Sequence, residues 1–239
     1  MDKFKVDVLS KTANPQTIMY LALHQDYSED YIYESLDKTP SEIKCGEIAV
    51  KRLLEGNRGH FGVLEHCHIV FSVGYFPHSV MQQATRHRIA SFDVQSGRYS
   101  GQRIVDVINF KRSLEDVFYL RPVGNYSDRQ GKKYYYSPEL REIHLQHCVD
   151  ACGLYKQNIE SGMSEEHARG LIPFDFRQHF VMSCNLRSLL HFLDLRFKKD
   201  AQLEIQKLSE MMWTHTQEWV PQIAEWYEKN RLGKARLAP

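Results

Sequence analysis

Long apolar runs are missing from this 239-residue sequence. A membrane-spanning helix needs roughly 18 to 20 consecutive apolar residues, and no segment comes near that length. The first ten residues, MDKFKVDVLS, are not followed by an apolar signal segment either. We therefore expect a cytoplasmic protein without a membrane partner.

Net charge is almost absent and cysteines are few. The 31 Lys and Arg against 30 Asp and Glu leave a formal charge of +1, so no nucleic-acid partner is expected and any anion site must be a local cluster. The five cysteines are odd in number and include no Cys-x-x-Cys pair. We expect reduced, buried thiols rather than a disulfide framework.

Metal-ligand spacing is also scarce. His66 and His68 would share one face of a predicted strand, but alternation sends Cys67 to the opposite face. No second Cys/His cluster has the spacing of a structural zinc site. We therefore expect no metal.

What the sequence does contain is an ordinary globular composition, with 42% apolar and 26% charged residues. The length fits one large domain or two small ones. Because there is no internal repeat, low-complexity tract or linker, we predict a single domain over residues 1–239.

The spacing of apolar residues predicts a helix over residues 39–54. Thr39 is the candidate cap, Pro40 suits the first helical position, and Glu42 completes a capping box. Apolar residues then recur at three- and four-residue steps until Gly56 supplies a stop.

A strand is predicted next, starting at His66. Apolar side chains occupy alternate positions from Cys67 to Tyr75, and Pro77 ends the run. A further helix is predicted from Pro77 to about Ile89.

The rest of the chain is mostly helical in pattern. Helices are predicted over residues 137–161, 164–172, 186–193 and 201–219. The segment 101–137, with a strand-like VDVINF and a tyrosine-rich stretch, is predicted to be a surface excursion. These patterns indicate the α/β (α+β) class, with a β-sheet flanked by several long helices.

The densest polar cluster lies in residues 86–98, which hold three arginines, a histidine and a Ser-Gly step. Arginine offers planar, permanently charged donors suited to phosphate, and the backbone N–H groups of a Ser-Gly turn can act similarly. The cluster therefore predicts a site for a phosphorylated ligand. The alternative is a solvated basic turn at a helix end.

Three segments resemble the signatures of the flavin-dependent thymidylate synthases. They are Arg86-His87-Arg88 with Ser96 and Arg98-Tyr99; His60 with Leu64-Glu65-His66; and Asn185, Arg187-Ser188-Leu189, Leu195-Arg196, Ala201-Gln202 and Glu204-Ile205.

The resemblance implies a homotetrameric α/β enzyme with shared active sites that methylates dUMP to dTMP. In that family FAD takes hydride from NADPH, methylenetetrahydrofolate supplies the one-carbon unit, and reduced flavin completes the methyl group. The other kind of thymidylate synthase attacks the pyrimidine with a cysteine. None of the five cysteines lies inside the matched motifs, which fits the flavin route.

By matching position, the resemblance implies that Arg196 is catalytic, because a cation against the uracil ring favours ionisation at N3 and makes C5 more nucleophilic. The implied cofactor-binding residues are His60, Gly62, Glu65, Arg86, His87, Arg88, Ile89, Val94, Asn185, Arg187, His191 and Leu195. The implied dUMP-binding residues are Gln83, Arg86, Val94, Gln95, Ser96, Gly97, Arg98, Arg169 and Arg196. The guanidinium groups of Arg86, Arg187 and Arg196 are expected to converge in one pocket.

Ser96 could also be interpreted as a nucleophile, but a Ser-Gly loop beside arginines suits phosphate binding better. Four places depart from the family pattern. Asp93-Val94 stands where Asn-Glu is common, and Gly62 stands where Ser or Thr is common. His191 stands where Asn is common, and Asp200 stands where some relatives have His. They leave two alternative functions open. In the first, an enzyme with the same scaffold acts on another pyrimidine nucleotide such as dCMP, or forms a different one-carbon product. In the second, the protein is a nucleotide-binding module without turnover.

Overall fold

The computed structural model describes residues 3–128 and 130–234. Helices and strands are mixed along the chain, which confirms the predicted class. The helices are α1 (Pro15–Tyr27), α2 (Glu42–Ala49), α3 (His78–Ala84), α4 (Gln102–Ile108), α5 (Pro138–Glu160), α6 (Glu165–Ala168), α7 (Leu186–Arg196), α8 (Leu203–Trp219) and α9 (Pro221–Asn230). Within the described ranges, no helix combines the length and apolar character needed to cross a membrane.

The strands form two sheets. They are β1 (Lys5–Lys11), β2 (His68–Pro77), β3 (Ser91–Val94), β4 (Gly124–Ser127), β5 (Lys133–Tyr136) and β6 (Arg177–Asn185). The larger sheet has the order β1-β2-β6-β3, while β4 and β5 form an antiparallel hairpin with Gly124 opposite Tyr136.

The chain divides into two compact units. The first contains the residues up to Lys5, Val73–Arg86 and Asp93–Val181; the second contains Val6–Ser72, His87–Phe92 and the residues from Met182 onward. The expectation of a single domain stays a prediction.

The core of the first unit forms where α4 packs against α5. The VDVINF segment lies in α4 and the turn after it, so its prediction as a strand was wrong. Ile104 and Val107 are buried there, and their three-residue spacing places both on one helix face. The segment 101–137 is thus only partly a surface excursion, because Val117 is also buried whereas Tyr135 in the hairpin is exposed.

Predicted boundaries hold best where capping is local. Helix α5 starts where predicted, and Ser137 Oγ accepts a hydrogen bond from Leu140 N at 3.2 Å.

Helix α3 ends at Ala84 rather than Ile89, so the basic residues 86–88 lie beyond the helix. In β2, Tyr75 has a positive φ of 66°, which breaks the alternation and buries Phe76 in place of Tyr75.

In the second unit, α1 packs against α2. The cap of α2 is Ser41, whose Oγ accepts from Lys44 N at 3.4 Å, so the prediction of Thr39 as the cap was wrong. Glu42 does not complete a capping box in α2 but caps the N-terminus of α1. Its carboxylate accepts from Gln16 N and Thr17 N, both at 2.8 Å, and from Thr17 Oγ1 at 2.6 Å.

Replacing Glu42 with alanine is expected to lower the free energy of unfolding by about 2 kcal/mol, because it leaves the first N–H groups of α1 without an acceptor. Urea unfolding would measure the change. Glu47→Ala is the matched control, since the Glu47 carboxylate lies in the same helix and forms an exposed ion pair with Lys44. Equal losses in the two variants would contradict this role for Glu42.

Candidate functional site

In the first unit, the chain makes a tight turn directly after β3. The carbonyl oxygen of Ser96 accepts from Tyr99 N at 3.2 Å and from Ser100 N at 3.1 Å. Ser96 Oγ accepts from Arg98 N at 3.3 Å. This hydroxyl caps its own turn, and within the described chain no histidine or carboxylate is seen bonded to it as a base.

Arg169 lies against this turn. A Cβ atom added to Gly97 would lie 3.4 Å from both Cδ and Nη1 of Arg169. The Arg169 side chain therefore packs over the backbone of Gly97. Two residues predicted to bind dUMP, 72 positions apart in the sequence, are brought together here.

Arg98, predicted for the same role, is paired with Glu166. The hydrogen bond to Glu166 is the main reason why the pKa of the Arg98 guanidinium is raised. Sequence reasoning missed Glu166, which stands on α6 three residues before Arg169. Glu166 thus engages the guanidinium of Arg98, whereas Arg169 lies against Gly97.

Gln95 supplies a further polar group at the end of β3. Its backbone N donates to the His179 carbonyl at 2.9 Å, which fixes the start of the turn. Its side-chain Oε1 is buried and has no hydrogen-bond partner within the described chain. A buried acceptor without a partner is costly, so it points to a ligand group that donates to it.

Three more residues predicted to bind ligands belong to the first unit. Gln83 lies in α3, Arg86 is exposed just beyond that helix, and Val94 ends β3.

In the second unit, His87 and Arg196 meet. Arg196 Nε donates to His87 Nε2 at 3.0 Å, and only 5% of His87 is exposed. Burial, the positive charge of Arg196 and the nearby His191 together lower the pKa of His87 from 6.5 to about 4. His87 is therefore neutral at pH 7, and its Nε2 is an acceptor that fixes the guanidinium plane of Arg196.

Helix α7 places this pair. Its face with Leu189 and Leu193 is buried, and Arg196 is its last residue, where a cation interacts favourably with the helix dipole. The His87 ring lies 5.6 Å from the ring of His191 and 4.8 Å from that of Phe192.

The opposite end of α7 brings two predicted cofactor residues into contact. Asn185 caps the helix, because its Oδ1 accepts from Ser188 N at 2.8 Å. Two residues later, Arg187 Nη1 lies 2.5 Å from Glu65 Oε1. The sequence gives no local signal for a pair 122 residues apart.

His60 and Gly62 line a cavity of about 310 Å³ in the same unit. The remaining cofactor candidates of this unit, Arg88, Ile89 and Leu195, are exposed. Arg187 and Arg196 thus belong to the second unit and Arg86 to the first, and the convergence of the three stays a prediction.

None of the five thiols is suited to nucleophilic attack. All five are buried and unpaired. Burial raises the pKa of Cys67, Cys152 and Cys184 to about 12 and that of Cys148 to about 11, and it also raises the pKa of Cys45. Each thiol is thus protonated at pH 7, and the thiolate is the nucleophilic form.

The family model for thymidylate synthase complementing protein (Thy1) matches residues 7–222. The flavin-dependent thymidylate synthase of Haloarcula marismortui is 32% identical over 98% of this chain and 99% of its own. That of Halobacterium salinarum is 30% identical over 98% and 100%.

Two solved structures share the fold. The UMP/dUMP methylase PolB from Streptomyces cacaoi, bound with 5-Br dUMP, has a TM-score of 0.77 at 21% identity and covers 100% of this chain and 98% of its own. Thymidylate synthase X from Helicobacter pylori, with FAD and dUMP, has a TM-score of 0.69 at 19% identity, with 92% and 98% covered. On the family model and the sequence identities, this chain is an enzyme and belongs to the flavin-dependent thymidylate synthase family.

Proposed function

We propose that this enzyme methylates dUMP to dTMP, with bound FAD, NADPH as reductant and methylenetetrahydrofolate as one-carbon donor. The observation that carries the proposal is the buried, neutral His87 that holds the guanidinium of Arg196. A fixed cation of this kind suits a ring whose negative charge increases during the reaction.

The first unit would bind the nucleotide phosphate. The turn at Ser96 and Gly97 offers backbone N–H groups, and Arg169, which packs against Gly97, adds a charged donor. Gln95 Oε1, buried and without a partner in the described chain, would accept a hydrogen bond from the substrate. Gln83, Arg86, Val94 and Arg98 complete the proposed set.

The second unit would supply most of the FAD-binding residues and act on the pyrimidine ring. Arg196, oriented by His87, would stabilise negative charge that forms when N3 of the uracil loses its proton, and this raises electron density at C5. His87 stays neutral in this role and can accept a hydrogen bond without adding a second positive charge.

The donor set of the second unit fits a flavin with a pyrophosphate. Arg187, fixed by Glu65, offers the planar charged donors for which phosphate oxygens are acceptors, and His60 and Gly62 line a cavity of the same unit. FAD, when bound, would supply the hydride that completes the methyl group. The other residues proposed to hold it are Arg86, Arg88, Ile89, Val94, Asn185, His191 and Leu195.

A homotetramer with shared active sites and a cytoplasmic location belong to the same proposal. The five buried, unpaired thiols support a reducing compartment. Sedimentation at equilibrium would test the tetramer.

The absorption spectrum of the isolated protein tests the cofactor. Yellow protein that releases FAD on denaturation, and that oxidises NADPH faster when dUMP is present, supports the proposal. Colourless protein that cannot be reconstituted with FAD would overturn it.

Another pyrimidine nucleotide is the second candidate substrate. Asp93-Val94 departs from the usual Asn-Glu, and one structural neighbour is described as a UMP/dUMP methylase. Product analysis with dUMP, UMP and dCMP separates the candidates, and methylated dUMP as the main product is expected.

Ser96→Ala is expected to retain turnover, with kcat lowered by no more than about tenfold, because the one bond seen for this hydroxyl among the described residues is to Arg98 N in its own turn. Steady-state kinetics with dUMP would measure the change. Loss of all turnover with unchanged dUMP affinity would instead indicate covalent catalysis by serine.

A further inference from the structure

A second cavity of the second unit, of about 700 Å³, opens between α1, α2 and the loop before Gly62. Four cationic side chains line it, namely Lys44, Lys51, Arg52 and Arg58. No carboxylate lies among its described lining residues. In a protein of charge +1, such a concentration of positive charge marks a site for an anion.

The fold compensates only part of this positive charge. Lys44 pairs with Glu47 at the surface, and Arg58 Nη1 donates to the Arg52 carbonyl at 3.1 Å. No carboxylate of the described chain forms an ion pair with Lys51 or Arg52. Positive charges gathered on one wall repel each other, and this repulsion is relieved when an anion binds.

The arrangement favours an extended anion over a compact one. Lys44 and Lys51 are seven residues apart, which corresponds to about 10 Å along a helix. A single phosphate cannot contact both ends of such a row. A chain that carries a carboxylate on every repeat can.

The cavity also has an aromatic wall. The rings of Tyr20 and His24 stack at 5.6 Å with an interplanar angle of 10°, and Tyr27 lies beside them. An aryl group could pack against this wall while carboxylates extend along the lysines.

The cavity shares lining residues with a neighbouring cavity, and this narrows the choice of ligand. Tyr27 and His60 also line the 310 Å³ cavity that contains Gly62, which we assign to the flavin. A ligand in the cationic cavity would thus reach residues proposed to lie beside the flavin. The one-carbon donor has this form, since an aminobenzoyl ring joins its reactive end to a glutamate tail.

We propose that this cavity binds the p-aminobenzoyl-oligo-γ-glutamate part of the methylenetetrahydrofolate, with the aryl ring on the Tyr20 wall and the tail carboxylates along Lys44 and Lys51. The proposal rests on the proposed function and adds to it a preference for donors with several glutamates.

Isothermal titration calorimetry with a fragment tests this without turnover. The flavin-containing protein as isolated is titrated with p-aminobenzoyl-triglutamate and with p-aminobenzoyl-monoglutamate. The triglutamate is expected to bind about tenfold more tightly, and less so in high salt. In the double variant Lys44→Gln/Lys51→Gln the preference should disappear. Equal affinity for the two fragments, or an unchanged preference in the variant, would overturn the proposal.

Lys207→Gln is the matched control. Like Lys44, Lys207 is an exposed helical lysine paired with a glutamate three residues later, but it does not line the cavity. This variant should keep the full preference, and its loss there would overturn the assignment.

Two further measurements separate this proposal from its rivals. 2′,5′-ADP serves as a probe for the NADPH site. If its binding is lost in the double variant while fragment binding persists, the cavity binds NADPH and the proposal is wrong. Fragment selectivity in a protein that does not methylate dUMP would support the cavity and overturn only the proposed function. Methylation of dUMP without a preference for the triglutamate fragment would overturn only the ligand assigned to the cavity.

Discussion

Arg196→Ala is expected to lower kcat for dUMP methylation by at least about 100-fold, which is the scale of losing one preorganised donor to a charge that forms in the transition state. The protein should remain yellow, because the proposed role of Arg196 is on the substrate ring. Single-turnover measurements at saturating dUMP would report the loss, and the flavin spectrum would report cofactor content.

The same variant has a second expected effect, on His87. Burial is the main cause of its lowered pKa, and the charge of Arg196 is the next. Removing that charge should move the pKa of His87 upward from about 4, which NMR titration would detect. Arg196→Lys is the control: it keeps the charge but not the planar donors, so it should hold the pKa low while still losing activity. Full activity in the alanine variant would show that the role of Arg196 is wrong.

The parts of the fold that the sequence predicts are those with local signals. Ser137 followed by proline gives α5, and the leucine spacing gives α7. Helix α1 was not predicted, because Asn14 before it is left-handed at φ 46° and makes no side-chain cap. Its N-terminal N–H groups are capped by Glu42, a residue 25 positions further on, and no local rule finds such a cap.

Short-range patterns also mislead where tertiary packing decides. The alternation in VDVINF resembles a strand, yet α4 forms because Ile104 and Val107 pack in the core with α5. Helix α9 was missed, although Pro221 at its start and the four-residue step from Ile223 to Tyr227 were visible signals.

The sequence names candidate site residues through the motif resemblance, but it does not give their contacts. Arg187 and Glu65 were both named in this way, whereas their pairing required the structure. Two structural networks have only a weak signal in the sequence. Arg177 is buried and donates to the carbonyls of Tyr75 and Glu115, and Asp194 accepts from Tyr227 Oη at 2.6 Å. A charged residue inside an apolar run is the one mark that both carry.

His87 is expected to make the protein sensitive to acid. Its pKa is 6.5 ordinarily and about 4 when folded, so the unfolded chain takes up the proton first as the pH falls. The stability that this group contributes is complete above about pH 6.5 and is lost as the pH falls towards 4, by about 2 kcal/mol between pH 7 and pH 4.5. Urea unfolding at the two pH values would measure the loss.

His87→Gln isolates this contribution from the carboxylates that titrate in the same range. Its amide oxygen can still accept from Arg196 Nε, but it takes up no proton, so the drop in unfolding free energy from pH 7 to pH 4.5 should be about 2 kcal/mol smaller than in the wild type. Since burial and Arg196 both disfavour the imidazolium, a variant as acid-sensitive as the wild type would mean that His87 is not the neutral acceptor of Arg196. The proposed orientation of the catalytic guanidinium depends on that neutrality.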